Sequence, residues 1–224
     1  MNEVNLALID KPDPIDWIAA SVLTVSFILI LWTKSIRPLA FLTTFSLFKG
    51  RLNFEATLKE AWPIGGIHSW LLNVNFILNL GLSLYLFSLN HGESGLLNTF
   101  PFLAFPIALL FFLLAFVSLT FIGSLTGATQ IFGRPIQLTW ILPQFIGLIL
   151  FLFNLIWLLN PGFDQTMIWM VLGLLILLSM QRILRSAIHL VGRQVDWYYI
   201  LLYLCTLEII PILLLVWFLF DWTN

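Results

Sequence analysis

Six runs of about 20 predominantly apolar residues divide this chain, and each is long enough to carry a helix across the roughly 30 Å hydrocarbon core of a bilayer. They lie at about 15–33, 67–88, 100–123, 136–159, 166–191 and 197–219. Hydrocarbon offers no partner to a backbone N–H or C=O, so each run has to satisfy its own backbone, and a helix does so residue by residue. The expected class is therefore all-α, a polytopic membrane bundle of six transmembrane helices. Composition agrees: 60% of the 224 residues are hydrophobic and 9% charged, where a soluble domain carries about a quarter charged residues. Mean hydropathy is +1.00. A single integral membrane domain over 1–224 is expected, with the bilayer as its first partner. A net charge of −1 and a pI near 6.3 give no electrostatic footing for nucleic acid.

The connections set the orientation. The N-terminal tail is polar and acidic with Pro12 and Pro14 and has no basic region before its first apolar run, so no cleavable signal peptide is expected. After Pro38, Phe41, Leu42, Phe45, Phe48 and Leu52 recur at helical spacing while Thr43, Thr44, Ser46 and Lys49 fall mostly opposite, which predicts an interfacial helix at about 38–49. Pro63, Gly65 and Gly66 break the chain before the second span, and Gly133, Arg134 and Pro135 read as the turn before the fourth. When six spans alternate, Lys34, Arg37, Lys49, Arg51, Lys59, Arg134, Arg182, Arg185 and Arg193 share one side and Lys11 alone takes the other. The excess of basic residues marks the cytoplasmic side. Both termini, and the loops at 90–98 and 160–165, are then non-cytoplasmic.

Polar residues inside the spans are the candidate functional groups, because each is costly in hydrocarbon unless partnered. The second span places Asn75, Asn79 and Ser83 four residues apart, a polar stripe that should face other helices. The fourth contains Pro143, Gln144 and Asn154, and Pro143 predicts a kink. Gly123 and Gly127 have the spacing that permits close helix approach. His68, beside Trp70, reads as an interfacial anchor and His91 as a loop residue.

The last span holds a carboxylate, Glu208, near mid-depth, with Cys205 one turn before it and Pro211 three residues after, where a second kink is expected. The fifth and sixth spans form a hairpin turning near 192–196, which brings Arg182 level with Glu208 and puts Asn79 at comparable depth. Two readings of the pair stand open: structural glue between helices, or part of an ion or proton relay. Arg182, Arg185 and His189 lie at i, i+3 and i+7 with Arg193 a further turn on, a basic stripe suited to an anionic lipid head group or simply to anchoring the helix end. No pair of histidines or carboxylates has metal-ligand spacing, so neither a metal nor another cofactor is expected. The lone cysteine, Cys205, excludes an internal disulfide.

His91-Gly-Glu-Ser94-Gly95 resembles the serine motif of rhomboid-like intramembrane proteases. A serine nucleophile needs a base within hydrogen-bond reach, yet the sixth span has no histidine and His68 and His189 map to the opposite side. A turn is the reading of that stretch. Tyr203-Leu-Cys-Thr-Leu-Glu-Ile-Ile-Pro211, following Tyr198 and Tyr199, is similar to the C-terminal signature of domain-of-unknown-function family 4271. The resemblance implies a bacterial integral membrane protein with no assigned activity, expected in the inner membrane of the envelope, and gives Cys205, Glu208 and Pro211 a family setting without a role. With no catalytic set in view, the leading expectation is a non-enzymatic subunit or assembly factor of an envelope complex, partnered by other membrane or envelope proteins. A small carrier or channel using Glu208 and Arg182 is the alternative, and a lipid-handling membrane enzyme the third.

Overall fold

The computed structural model describes residues 17–36, 66–91, 101–125, 129–160 and 164–191. The expected interfacial helix at 38–49 and the expected sixth span at 197–219, with Arg193, Cys205, Glu208 and Pro211, lie outside the described residues. Within them the protein is all-helical: α1 (Trp17–Ile36), α2 (Ile67–His91), α3 (Ala104–Leu125), α4 (Thr129–Leu159) and α5 (Asp164–Val191), with one turn of 3₁₀-helix, Pro101–Leu103, leading into α3. Three helices hold segments long and apolar enough to cross a membrane, namely Trp17–Ile36, Ile67–Leu89 and Ile136–Leu159, while α3 and α5 carry shorter apolar stretches at Ala104–Leu114 and Gln165–Gln181. These are the helices of a membrane protein.

The elements begin and continue for local reasons. Gly66 starts α2, its carbonyl accepting from the backbone N–H groups of Ser69 at 2.9 Å and Trp70 at 3.2 Å. The imidazole of His68 folds back onto that glycine, so closely that a Cβ there would lie 2.4 Å from His68 Cε1. His68 is consequently buried and does not serve as an exposed anchor, while Trp70 is half-exposed. α4 starts earlier than the glycine and proline suggested: Gly133, Arg134 and Pro135 fall within its first two turns and form no turn between elements. Pro135 is the seventh residue of the helix, so the helix accommodates it by forgoing one backbone bond, the one its missing N–H would have donated one turn back. The helix also continues through Pro143.

α2 is the hub. Residues 79 to 86 are buried without a break, so this stretch is enclosed on every side, as only a central helix can be. Of its apolar window 72% is buried, against 22% for α1, which leaves Val25, Phe27, Ile28, Leu31 and Trp32 exposed. Around α2 stand α1, α3 and α4, with α5 packed chiefly on α4. α3 runs antiparallel to α2. Phe105 closes on Gly81, where a Cβ would sit 2.6 Å from the ring, and Phe112 meets Phe76 with ring centroids 6.3 Å apart. The face of α3 turned inward is Ala104, Ala108 and Phe112, one residue per turn.

α2 and α4 run parallel with a fixed register. Ser69 meets Trp140, Phe76 meets Gly147 and Ser83 meets Asn154, each pair 71 residues apart in the chain. Successive contacts advance by seven residues on both helices, two turns at a time, which keeps one seam in contact along the pair. At the middle contact α4 has no side chain: a Cβ on Gly147 would lie 2.8 Å from Phe76 Cα and 2.9 Å from its Cβ. The two backbones approach because the residue between them is glycine.

Candidate functional site

The polar residues of α2 meet partners on both sides of this seam and form two hydrogen-bonded clusters. In the first, Asn79 is the junction of three helices. Its Nδ2 donates to Ser26 Oγ of α1 at 2.7 Å and to the Asn75 carbonyl at 2.8 Å, with Asn75 Oδ1 a longer 3.2 Å away. Ser26 Oγ in turn donates to Asn75 Oδ1. From the opposite side Asn154 of α4 grips one turn of α2. Its Nδ2 donates to the Asn79 carbonyl at 2.8 Å, and its Oδ1 accepts from Ser83 Oγ at 2.8 Å. An asparagine amide fits this task because its donor and acceptor are a fixed distance apart on one planar group. All five side chains are at most 3% exposed.

The second cluster lies about three turns nearer the start of α2. Ser69 Oγ accepts from Trp140 Nε1 at 2.7 Å and from Gln144 Nε2 at 2.6 Å, two donors one turn apart on α4. Gln144 Nε2 also reaches the Trp140 carbonyl at 3.0 Å. The Trp140 ring is held in an aromatic nest, edge-on to Trp70 at 4.7 Å and tilted against Phe116 at 5.2 Å and Phe112 at 5.8 Å. Packing on its faces and one hydrogen bond at its N–H fix the indole completely.

Chemically, both clusters consist of amides, hydroxyls and an indole. They contain no group that ionises near neutrality and no nucleophile beside a base. Among the described residues no three His, Cys, Asp or Glu side chains come together as a metal site. Beyond Ser83, α2, α4 and α5 leave an apolar groove lined by Leu84, Phe87, Trp157, Ile168 and Val171, among others, in which Ser83 is the one polar residue.

Of the residues singled out in the sequence, the structure brings Asn75 and Asn79 together and joins them to Ser26, Ser83 and Asn154. Pro143 is buried within α4. Arg182, Arg185 and His189 lie in that order on the last turns of α5. Glu208, Cys205, Arg193 and Pro211 are outside the described residues, and with them the expected Arg182–Glu208 pair. The sequence reading had no means of selecting Ser26, Ser69 or Trp140, and it passed over Gly147.

A family model described as "Domain of unknown function (DUF4271)" matches residues 19–219. The match begins in α1, runs through every described helix and reaches past Pro211, so the likeness extends far beyond the C-terminal segment that first carried it. No curated protein matches the chain, and no solved structure does.

Proposed function

Since the chain belongs to the DUF4271 family, whose description assigns no activity, we propose from its interior that it is a non-enzymatic integral membrane subunit or assembly factor of a bacterial envelope complex. The observation that carries this reading is how the Asn79 cluster is used: Ser26, Asn79, Ser83 and Asn154 spend their hydrogen bonds on one another and on helix carbonyls. Polar groups consumed in this way fix helices against each other. The wide apolar face of α1, from Val25 to Trp32, offers a surface for lipid or a neighbouring protein. In this proposal the chain has six spans in the inner membrane, an interfacial helix at 38–49 and both termini on the non-cytoplasmic side. Affinity purification of the tagged full chain after extraction in a mild detergent should recover a stoichiometric membrane or envelope partner. A protein that always migrates alone overturns the proposal.

One observation favours a second reading, a small carrier or channel. Buried polar residues follow α2 from Ser69 to Ser88, about 28 Å at 1.5 Å per residue, close to the full hydrocarbon thickness. Glu208 and Arg182, level across the last hairpin by sequence, would supply its charges. Proton or ion flux in liposomes containing this protein alone, lost in Glu208→Gln, is the result that would prefer it.

A further inference from the structure

The two faces of α5 have opposite surroundings, and its basic residues fall on the inner one. Ile176, Leu177, Met180 and Leu184 are exposed, while Val171, Leu178 and Ser179 are buried. In a helix, the residues four, seven and eleven places beyond a given position return to its stripe. Counted from the buried Leu178, those residues are Arg182, Arg185 and His189. Counted from the exposed Met180, they are Leu184, Ala187 and Val191, all apolar. Leu184 is still exposed two residues past Arg182, so the outer stripe keeps its direction at that level. The helix thus runs an apolar stripe along its outside to its end, and its basic residues continue the stripe that is buried in the turns before them. Sequence spacing showed that the three share a stripe but not which way that stripe faces.

We propose that Arg182 and Arg185, with His189 a turn further out, form a binding site for a phosphate group on the bundle side of α5. Charge decides that the ligand is an anion. Among the described residues the one acid is Asp164, at the other end of α5 and about 27 Å from Arg182 at 1.5 Å per residue. α4, on which α5 chiefly packs, has no acidic residue, and its one charged residue is another cation, Arg134. Depth and shape decide that the anion is a phosphate. The apolar stretch Gln165–Gln181 ends immediately before Arg182, so the basic stripe begins where hydrocarbon gives way to head groups. Phosphate is the anion that a membrane supplies at this level as a lipid head and that the aqueous side supplies free. Arginines one turn apart, about 4.5 Å in rise, suit a group with oxygens on several sides, because each guanidinium fork takes a pair of oxygens. A single carboxylate answers one fork and leaves the other.

The test is native mass spectrometry of the full chain, released from neutral detergent micelles that contain phosphatidylcholine and phosphatidylglycerol in equal parts. The protein should retain phosphatidylglycerol in preference, and Arg182→Gln and Arg185→Gln should each lower that retention several-fold. Arg185→Lys keeps the charge without the fork and should fall between, which also serves should the glutamine variants fail to fold. Lys34→Gln removes an exposed cation at the end of α1 and should change nothing. Inorganic phosphate added to lipid-stripped protein separates the two sources. A rise in thermal midpoint that depends on both arginines marks free phosphate as a ligand, and retention without such a rise marks the lipid head. The proposal is overturned if neither probe responds to the arginines. It is overturned too if Lys34→Gln weakens retention as much as they do, which describes surrounding lipid and no site. Binding that appears only in Glu208→Gln also overturns it, since the stripe is then neutralised within the chain.

Discussion

At the residue scale the Asn154 amide is the clearest case of a side chain placed for geometry. It holds the Asn79 carbonyl and the Ser83 hydroxyl together, so its removal unties two groups of α2 at once. Asn154→Leu should lower stability by about 1–2 kcal/mol, the range for leaving buried partners unsatisfied and the upper part of what interhelical bonds yield in membranes. Ser83→Ala should cost less, because Asn154 Nδ2 keeps its bond to Asn79. Reversible unfolding in mixed micelles of both single variants and the double variant checks this, with a non-additive double as the expected signature of shared partners. The stripe on α2 was legible because Asn75, Asn79 and Ser83 stand four residues apart. Its partner on α1 was not. Ser21 and Thr24 bond back to carbonyls of their own helix, as hydroxyls in apolar helices commonly do, and nothing in the sequence separates them from Ser26, which reaches across.

Among elements, the α2–α4 crossing depends on the absence of one methyl group. Gly147→Ala would drive a Cβ into the backbone of Phe76, where no side chain can swing aside, and should destabilise the protein by roughly 1–3 kcal/mol, the usual cost of overpacking. Gly173 on α5 is the internal control. A Cβ there meets nothing within 4 Å, so Gly173→Ala should be neutral or stabilising by up to about 1 kcal/mol through helix propensity alone. Opposite signs for the same substitution, read from thermal denaturation in detergent, are the expected outcome. Spacing in the sequence drew attention to Gly123 and Gly127, because a glycine pair four apart marks a helix face. A lone glycine carries no such mark, and only the fold shows that position 147 is the one lying against another backbone. The same limit applies to the turn expected at Gly133 to Pro135: local propensity marks a boundary there, and α4 continues through it, forgoing the one backbone bond that Pro135 cannot donate.

At the scale of the molecule, runs of about 20 apolar residues were enough to point to the all-helical class that the described residues adopt, since hydrocarbon admits few alternatives. The hub was harder to see. α2 is not the most hydrophobic helix, its spanning stretch being less apolar than that of α4. It is central because it carries the polar residues that need enclosure, so the less apolar helix is the more buried one. The proposed orientation has a direct test in the basic residues that cluster between alternate spans. Reporter fusions after Asn224 and within 92–95 should register outside the cytoplasm, and one between Arg51 and Lys59 inside. A cytoplasmic signal after Asn224 would refute the six-span arrangement.

The 71-residue register between α2 and α4 also has a meaning in time. A ribosome adding about 5–20 residues per second needs some 4–14 s to make the chain that separates Ser83 from Asn154. For about that long after it enters the membrane, α2 has α1 on hand to receive Asn75 and Asn79 through Ser26 but no Asn154 amide yet for Ser83 or for the Asn79 carbonyl. The nascent chain thus passes through a stage in which its future centre is an exposed flank. An insertase or holding chaperone that shields this flank should be needed by α2 and released by the arrival of α4, so chains truncated between the two helices should be degraded faster than chains truncated just after Leu159.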